Sequence, residues 1–226
     1  GYKFIDENRI DKPCRRPANG QPVENRMWDE ILDEVASQIK ETGPRMGIFL
    51  SPQLSNEELY LARKLFRDQL ECGKLFLLSP HPEGEQDEFL IRADKNPNTR
   101  GAELLGFATD SEAVSLFLKD CELGKMEGAV IFGQDLLTIL EPRRSQPAFH
   151  ELKWSLFIGS NQNLTSESAS FVLPSAAYAE KNGTFTNFQG RVQKFNKAFE
   201  PLGESRPEWE IIQDLANRLG TSWNYQ

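Results

Sequence analysis

The sequence predicts an α/β chain: a Rossmann-like, doubly wound, mostly parallel sheet of about five strands with flanking helices. Three observations carry that expectation. Short uninterrupted apolar runs recur along the chain, as in "MGIFL", "KLFLL", "GAVIF", "WSLFIG" and "SFVLP". Amphipathic segments with apolar residues at helical spacing separate several of them. The segments also carry start and stop signals suited to helices.

In order, Gly1 to Val23 is polar and carries Pro13, Pro17 and Pro22, so residues 1–25 read as an extended lead-in. Residues 26–226 read as one α/β domain. Trp28, Ile31, Leu32, Val35 and Ile39 form the stripe of a first helix, with Asp29 and Glu30 near its positive end and Gly43-Pro44 as its stop. "MGIFLS" then reads as a buried strand. Ser55-Asn56-Glu57-Glu58 is a capping-box sequence, and Leu59, Ala62, Leu65, Phe66 and Leu70 follow on one face, with Gly73 as the expected C′ residue. "KLFLLS" is the second strand. A turn-rich, polar excursion spans about 81–107, and "DKNPNTRG" within it reads as a loop docked on neighbouring structure. Thr109-Asp110-Ser111-Glu112 offers a second capping box before Ala113, Val114, Phe117, Leu118 and Cys121. "GAVIFG", "WSLFIGS" and "SFVLPS" complete the strands. Ser205-Arg206-Pro207-Glu208 is read as a third capping box, opening a helix with Trp209, Ile212, Leu215, Ala216 and Leu219 inward.

A parallel sheet offers its ligand-competent loops at the C-terminal strand ends. Those ends are Ser51-Pro52, Ser79-Pro80, Gly133-Gln134-Asp135, Gly159-Ser160-Asn161 and Pro174-Ser175.

Composition narrows function. With 38% apolar residues the chain can build a core, and its formal net charge of -8 disfavours nucleic acid as a partner. No apolar run reaches the roughly 18 residues of a membrane helix, so no direct membrane insertion is expected. Cys14, Cys72 and Cys121 are widely spaced, which fits a reducing, cytoplasmic setting and supplies no metal-ligand spacing. There is no G-x-G-x-x-G, no Walker lysine, no G-x-S-x-G and no H-E-x-x-H. His81 and His150 read as solvated or structural. Neither catalytic nor metal-binding residues are assigned.

The segment Glu180 to Gln193, "EKNGTFTNFQGRVQ", is different. Gly183, Thr184, Asn187, Gly190 and Arg191 bring short polar groups, open backbone and a guanidinium together. They can hydrogen-bond a polar heterocycle or a phosphate. They can equally satisfy their own irregular backbone.

This run resembles molybdopterin oxidoreductases. Together with "GYKFIDENRIDKPCRR", "SPQLSNEELYLARKLFRDQL", "DKNPNTRGAELLG" and Arg206-Pro207-x-Trp209, it is most similar to the large iron–sulfur subunit of respiratory NADH:quinone oxidoreductase (NADH dehydrogenase I, complex I). The resemblance spans nearly the whole chain and a middle slice of that protein. Gln189 stands where the family more often has Glu, and Cys14 where it more often has an apolar residue. The resemblance implies iron–sulfur clusters in cysteine-rich modules ahead of Gly1 and a β-barrel beyond Gln226 in the parent. It implies a fragment acting as a non-redox scaffold with no cofactor of its own, in contact with other complex I subunits and peripheral to the inner membrane. Gly183, Thr184, Asn187, Gly190 and Arg191 would then be an inherited, vestigial pterin lining. The alternative it leaves open is part of a genuine molybdopterin-dependent oxidoreductase of formate dehydrogenase type, with Thr184, Asn187 and Arg191 on the pterin. A stand-alone module with a nucleotide-like crevice at the strand ends is a third reading.

Overall fold

Seven strands form the main sheet, and the five apolar runs supply its parallel part. The computed structural model describes residues 5–17, 22–81 and 83–226; residues 1–4 and 18–21 of the lead-in and Pro82 of the excursion lie outside them. The elements are β1 (Cys14–Arg15), β2 (Glu24–Asn25), α1 (Trp28–Thr42), β3 (Met46–Leu50), α2 (Asn56–Ala62, continued by a π-helical stretch Arg63–Gln69), β4 (Leu75–Leu77), α3 (Thr99–Leu104) and α4 (Ser111–Glu122). They continue with β5 (Gly128–Phe132), α5 (Leu136–Ile139), α6 (Pro142–His150), β6 (Trp154–Gly159), α7 (Leu164–Ser168), β7 (Phe171–Pro174), β8 (Gly183–Thr186), β9 (Val192–Phe195) and α8 (Glu208–Arg218).

The sheet order is β2-β1-β7-β6-β5-β3-β4. β4, β3, β5, β6 and β7 are mutually parallel, while β1 runs antiparallel to β7 and β2 antiparallel to β1. The strands are continuous apolar runs because both faces are covered. Ile48 and Leu50 pack with α1, α2 and α8 on one side, through Ile31, Leu59 and Ile212. Phe49 packs on the other side with Phe117 of α4 and Ala148 of α6. Side-chain alternation along a strand sends neighbours to opposite layers.

Two glycines make room for aromatic neighbours, one in the covering helix layer and one on the adjacent strand. A Cβ on Gly47 would lie 2.5 Å from the Phe117 ring, and one on Gly128 would lie 2.4 Å from the Trp154 indole.

Helix ends depart from the sequence reading in three places. The Ser55 box forms as expected, with Ser55 and Glu58 bonding reciprocally. At α4 the N-cap is Asp110, whose carboxylate accepts from Ala113 N at 2.9 Å. The charged acceptor displaces the Thr109 hydroxyl from that role. At α8 there is no side-chain cap: Pro207 precedes the helix, Ser205 Oγ donates to Ile10 O, and the Glu208 carboxylate is drawn to a buried ammonium instead. Gly73 is not the left-handed residue after α2. The π-helical turns change the phase of the helix end, and Glu71 takes that conformation at φ 51.

Candidate functional site

The chain order of the five parallel strands is 2-1-3-4-5 across the sheet. The connection from β3 to β4 lies on one face and that from β4 to β5 on the other, since α2 joins one core layer and α4 the opposite one. The crossovers therefore part between the C-terminal ends of β3 and β5, the place where such sheets open a crevice.

A crevice of 770 Å³ lies there. Its walls come from the strand-end loops: Ser51 and Gln53 after β3, Gly133 to Asp135 after β5, Ser160 to Asn163 after β6, and Ser175 to Tyr178 after β7. Pro80 and His81 flank it, and Phe157, Lys181, Phe185 and Glu208 complete it. The loops named from the sequence thus converge on one cavity.

The polar walls are mostly fastened to the protein. Asp135 Oδ1 accepts from Thr165 Oγ1 at 2.8 Å and from Thr165 N, and its Oδ2 accepts from Thr138 Oγ1. Asn161 Nδ2 donates to Glu7 O, and His81 lies 3.0 Å from the Gln53 amide. Gln134 differs. Its Nε2 donates to Leu50 O at 3.1 Å, while its buried Oε1 has no donor among the described residues. Buried acceptors are seldom left so.

Two buried ionic clusters support the crevice. Arg9 bridges Glu180 in bidentate fashion, with Nη1 to Oε1 at 3.0 Å and Nη2 to Oε2 at 2.6 Å. Its Nε donates to Ser160 O, tying the first described residues to the β6 loop. The second cluster is Lys181, whose Nζ reaches Glu58 Oε1 at 2.7 Å and Glu208 Oε2 at 2.5 Å. Glu208 is pushed up to about 8 by burial and the neighbouring Glu58 charge, with Lys181 opposing. Burial also pushes Glu58 up, but Lys181 and hydrogen bonds outweigh it and hold that carboxyl below its ordinary value.

The residues singled out from the sequence lie on and around the β8–β9 hairpin. Gly183 and Thr184 line a second groove of 660 Å³, which also includes Lys181. Thr184 Oγ1 donates to Glu57 Oε1 at 2.8 Å and accepts from Asn56 Nδ2, and Thr184 N donates to Glu57 Oε2. Asn187 Oδ1 accepts from Gln189 N and Arg191 N, each at 3.0 Å, around a turn in which Gly190 has φ 82. Arg191 is exposed at the hairpin tip. The crevice and the proposed lining are thus neighbours rather than one surface, joined through Lys181 and Phe185.

Sequence reasoning named Gln134 only as part of a strand-end loop, and it missed Arg9 and the Glu58–Lys181–Glu208 cluster. Glu58 was visible as a capping residue, a role it does fill through Ser55 N. Its second oxygen meets a lysine 123 residues away, which no local pattern encodes.

Residues 144–218 match the family model described as "Molybdopterin oxidoreductase". The matches support the molybdopterin oxidoreductase superfamily. Two curated Staphylococcus aureus proteins, from strains USA300 and NCTC 8325 / PS 47, are described as "Putative formate dehydrogenase". Each is 32% identical over 141 residues, which is 62% of this chain and 13% of the relative. The chain therefore spans only a small part of the curated relatives it matches. Among solved structures, acetylene hydratase from Pelobacter acetylenicus superposes with a TM-score of 0.63 over 96% of this chain and 62% of that one. At 11% identity that likeness speaks to the fold. The superfamily implied by the sequence is supported. The named relatives side with the formate dehydrogenase-like alternative over the complex I iron–sulfur protein.

The superfamily implies a pterin cofactor, so its fit can be judged. The crevice volume lies within the roughly 300–1,000 Å³ of small-molecule sites. Serine and amide side chains line the crevice, and the unpartnered Gln134 Oε1 is buried in its wall. These residues fit the heterocyclic part of such a group. Lys181 is the one Lys or Arg in the described lining and is committed to two carboxylates. Among the described residues no group of three or more His, Cys, Asp and Glu is placed to hold a metal ion.

Proposed function

We propose that this chain is α/β framework of a molybdopterin-dependent, formate dehydrogenase-like oxidoreductase, with the strand-end crevice taking the heterocyclic part of the cofactor. The observation that carries the reading is where the family match falls. Residues 144–218 include β6, β7 and α8, and so supply the crevice wall from Phe157 through Ser160, Ser175 and Tyr178 to Glu208. The serine and amide side chains of the strand-end loops would orient the ring, and Phe157 and Phe185 would give it apolar cover. When bound, the cofactor supplies two-electron redox chemistry. This chain's part is binding, orientation and exclusion of water.

The test is chemical analysis of the purified protein that carries this chain. Oxidative release should give a fluorescent pterin in stoichiometric amount, with molybdenum or tungsten, and formate should reduce an artificial acceptor. Absence of pterin from the folded protein would reject the reading.

One observation favours a second reading, a non-redox scaffold within the iron–sulfur protein of a complex I-type assembly. Thr184 and Asn187 give their polar atoms to Glu57 and to the hairpin turn. On that reading other complex I subunits are the partners, and attachment to the membrane is peripheral, through the complex. Among the described residues no helix is long and apolar enough to cross a membrane. The scaffold expects no pterin and no molybdenum, so the same analysis separates the two.

A further inference from the structure

Glu58, Lys181 and Glu208 come from three separate elements: the first turn of α2, the segment leading into β8, and the first residue of α8. All three are buried, at 0%, 5% and 4% exposure. Two carboxyl groups share one ammonium, so full ionisation would leave an uncompensated negative charge in the interior, an unfavourable state. One proton resolves the imbalance. The three residues differ in access. Glu58 is sealed, whereas Glu208 and Lys181 both line the crevice.

We propose that Glu208 is a proton-exchange site of the crevice, holding one proton over a fixed Lys181–Glu58 ion pair and passing it to or from an acceptor in the cavity. In the outward step the Glu208 O–H bond breaks and the proton bonds to the acceptor. The cluster goes from neutral to one net negative charge, and reprotonation from the crevice restores it. Lys181 keeps its three protons throughout. The position of Glu208 near 8 and the upward shift of Lys181 agree with that division. The burial that raises Glu208 opposes the shift of Lys181, and the two carboxylates overcome it.

Several other charges nearby are already engaged, and Glu210, further along α8, answers to burial and to Arg206 and Asp214. Glu180, next to Lys181, is held by Arg9. Arg206 pairs with Asp214 and lies over the Trp28 ring. Within the crevice, Asp135 is held by Thr138 and Thr165, and His81 lies against Gln53. The groups facing Glu208 are thus Glu58 from α2 and Lys181 from the segment before β8. The proposal does not depend on the cofactor reading, because it concerns this chain's own carboxyl group.

Infrared spectroscopy of the intact protein tests it. A buried, protonated carboxyl band should be present near neutral pH and disappear as pH rises through about 8. Transfer into D2O should shift the band far faster than the buried backbone amides of α2 and α8 exchange. Glu208→Gln keeps the size and an acceptor for Lys181, and should abolish the band. Glu58→Gln removes the competing charge, and should move the Glu208 titration below neutral pH and so also abolish the band there. Survival of the band in either folded variant overturns the proposal. So does its absence from the unaltered protein. Exchange in the unaltered protein as slow as that of the helix amides would also overturn it, by showing a sealed clasp; this reading needs no variant to fold.

Discussion

Asn98 offers a sharp test of how the excursion is held to the sheet. It is fully buried at 0% exposure, although it lies in a stretch rich in turn residues. Its Oδ1 accepts from Thr186 N at 2.7 Å and its Nδ2 donates to Leu54 O at 2.8 Å. It therefore joins the excursion to the hairpin and to the loop after β3. Gly101 makes room for it, since a Cβ there would lie 2.2 Å from both Asn98 Oδ1 and Asn56 Oδ1. Asn98→Ala removes a partner from two buried groups, each costing about 1–3 kcal/mol, so local destabilisation of about 2–6 kcal/mol is expected. At about 1.4 kcal/mol per tenfold, the lower figure is roughly a 30-fold change in an equilibrium constant. The assay is amide hydrogen exchange at Thr186 in the folded protein, where protection should fall by at least about 30-fold. Asn98→Leu should do the same, because it keeps volume and removes both hydrogen bonds. A change below about 5-fold in both variants would refute the hydrogen-bond argument. A loss in Asn98→Ala alone would assign the effect to packing.

Three further outcomes follow from the same geometry. Arg9→Met should lower stability by about 3–5 kcal/mol, read from thermal or urea unfolding, because it strands the buried Glu180 carboxylate; an unchanged midpoint would contradict this. Gly47→Ala should cost about 1–3 kcal/mol by overpacking, since the Phe117 ring 2.5 Å away is itself wedged against Phe49 and Phe76. Glu208 makes stability depend on pH in a defined direction: its folded value, near 8, exceeds the ordinary 4.5, so the native state binds the extra proton between them. Its contribution is full below 4.5 and is lost as pH rises toward about 8, and Glu208→Gln should flatten that part of the stability curve.

The parallel sheet was legible because each of its strands is an apolar run buried on both faces, a signal that survives without tertiary context. Helices α1, α2, α4 and α8 were legible from their period, whereas α3, α5, α6 and α7 are too short or too polar to carry that signal. The strand-end loops could be named in advance because topology alone places them together. What escaped has a common cause. Arg9 and Glu180 are 171 residues apart, and Glu58 and Lys181 are 123 apart, so their pairing exists only after folding. Local rules also made α8 begin with a Ser205 cap, where the buried Lys181 proved the stronger claim on Glu208. Thr184 and Asn187 were read as polar groups for a ligand or for their own backbone; sequence could not name Glu57, 127 residues from Thr184, as its partner.

β1 is only two residues long, yet its position has a consequence for self-association. An uncovered outer strand presents unpaired amides and carbonyls that can template the addition of a foreign strand. β7, "FVLP", would be such a template, with Phe171, Val172 and Leu173 all strongly apolar. Cys14 and Arg15 occupy that side, Arg16 N extends the cover to Ser170 O at 2.7 Å, and β2 lies beyond. At the opposite margin β4 is just three residues long, too short to recruit a partner well. The polar segment before α1 thus acts as a hem on the sheet, and unpicking it would open the fold to strand-by-strand aggregation.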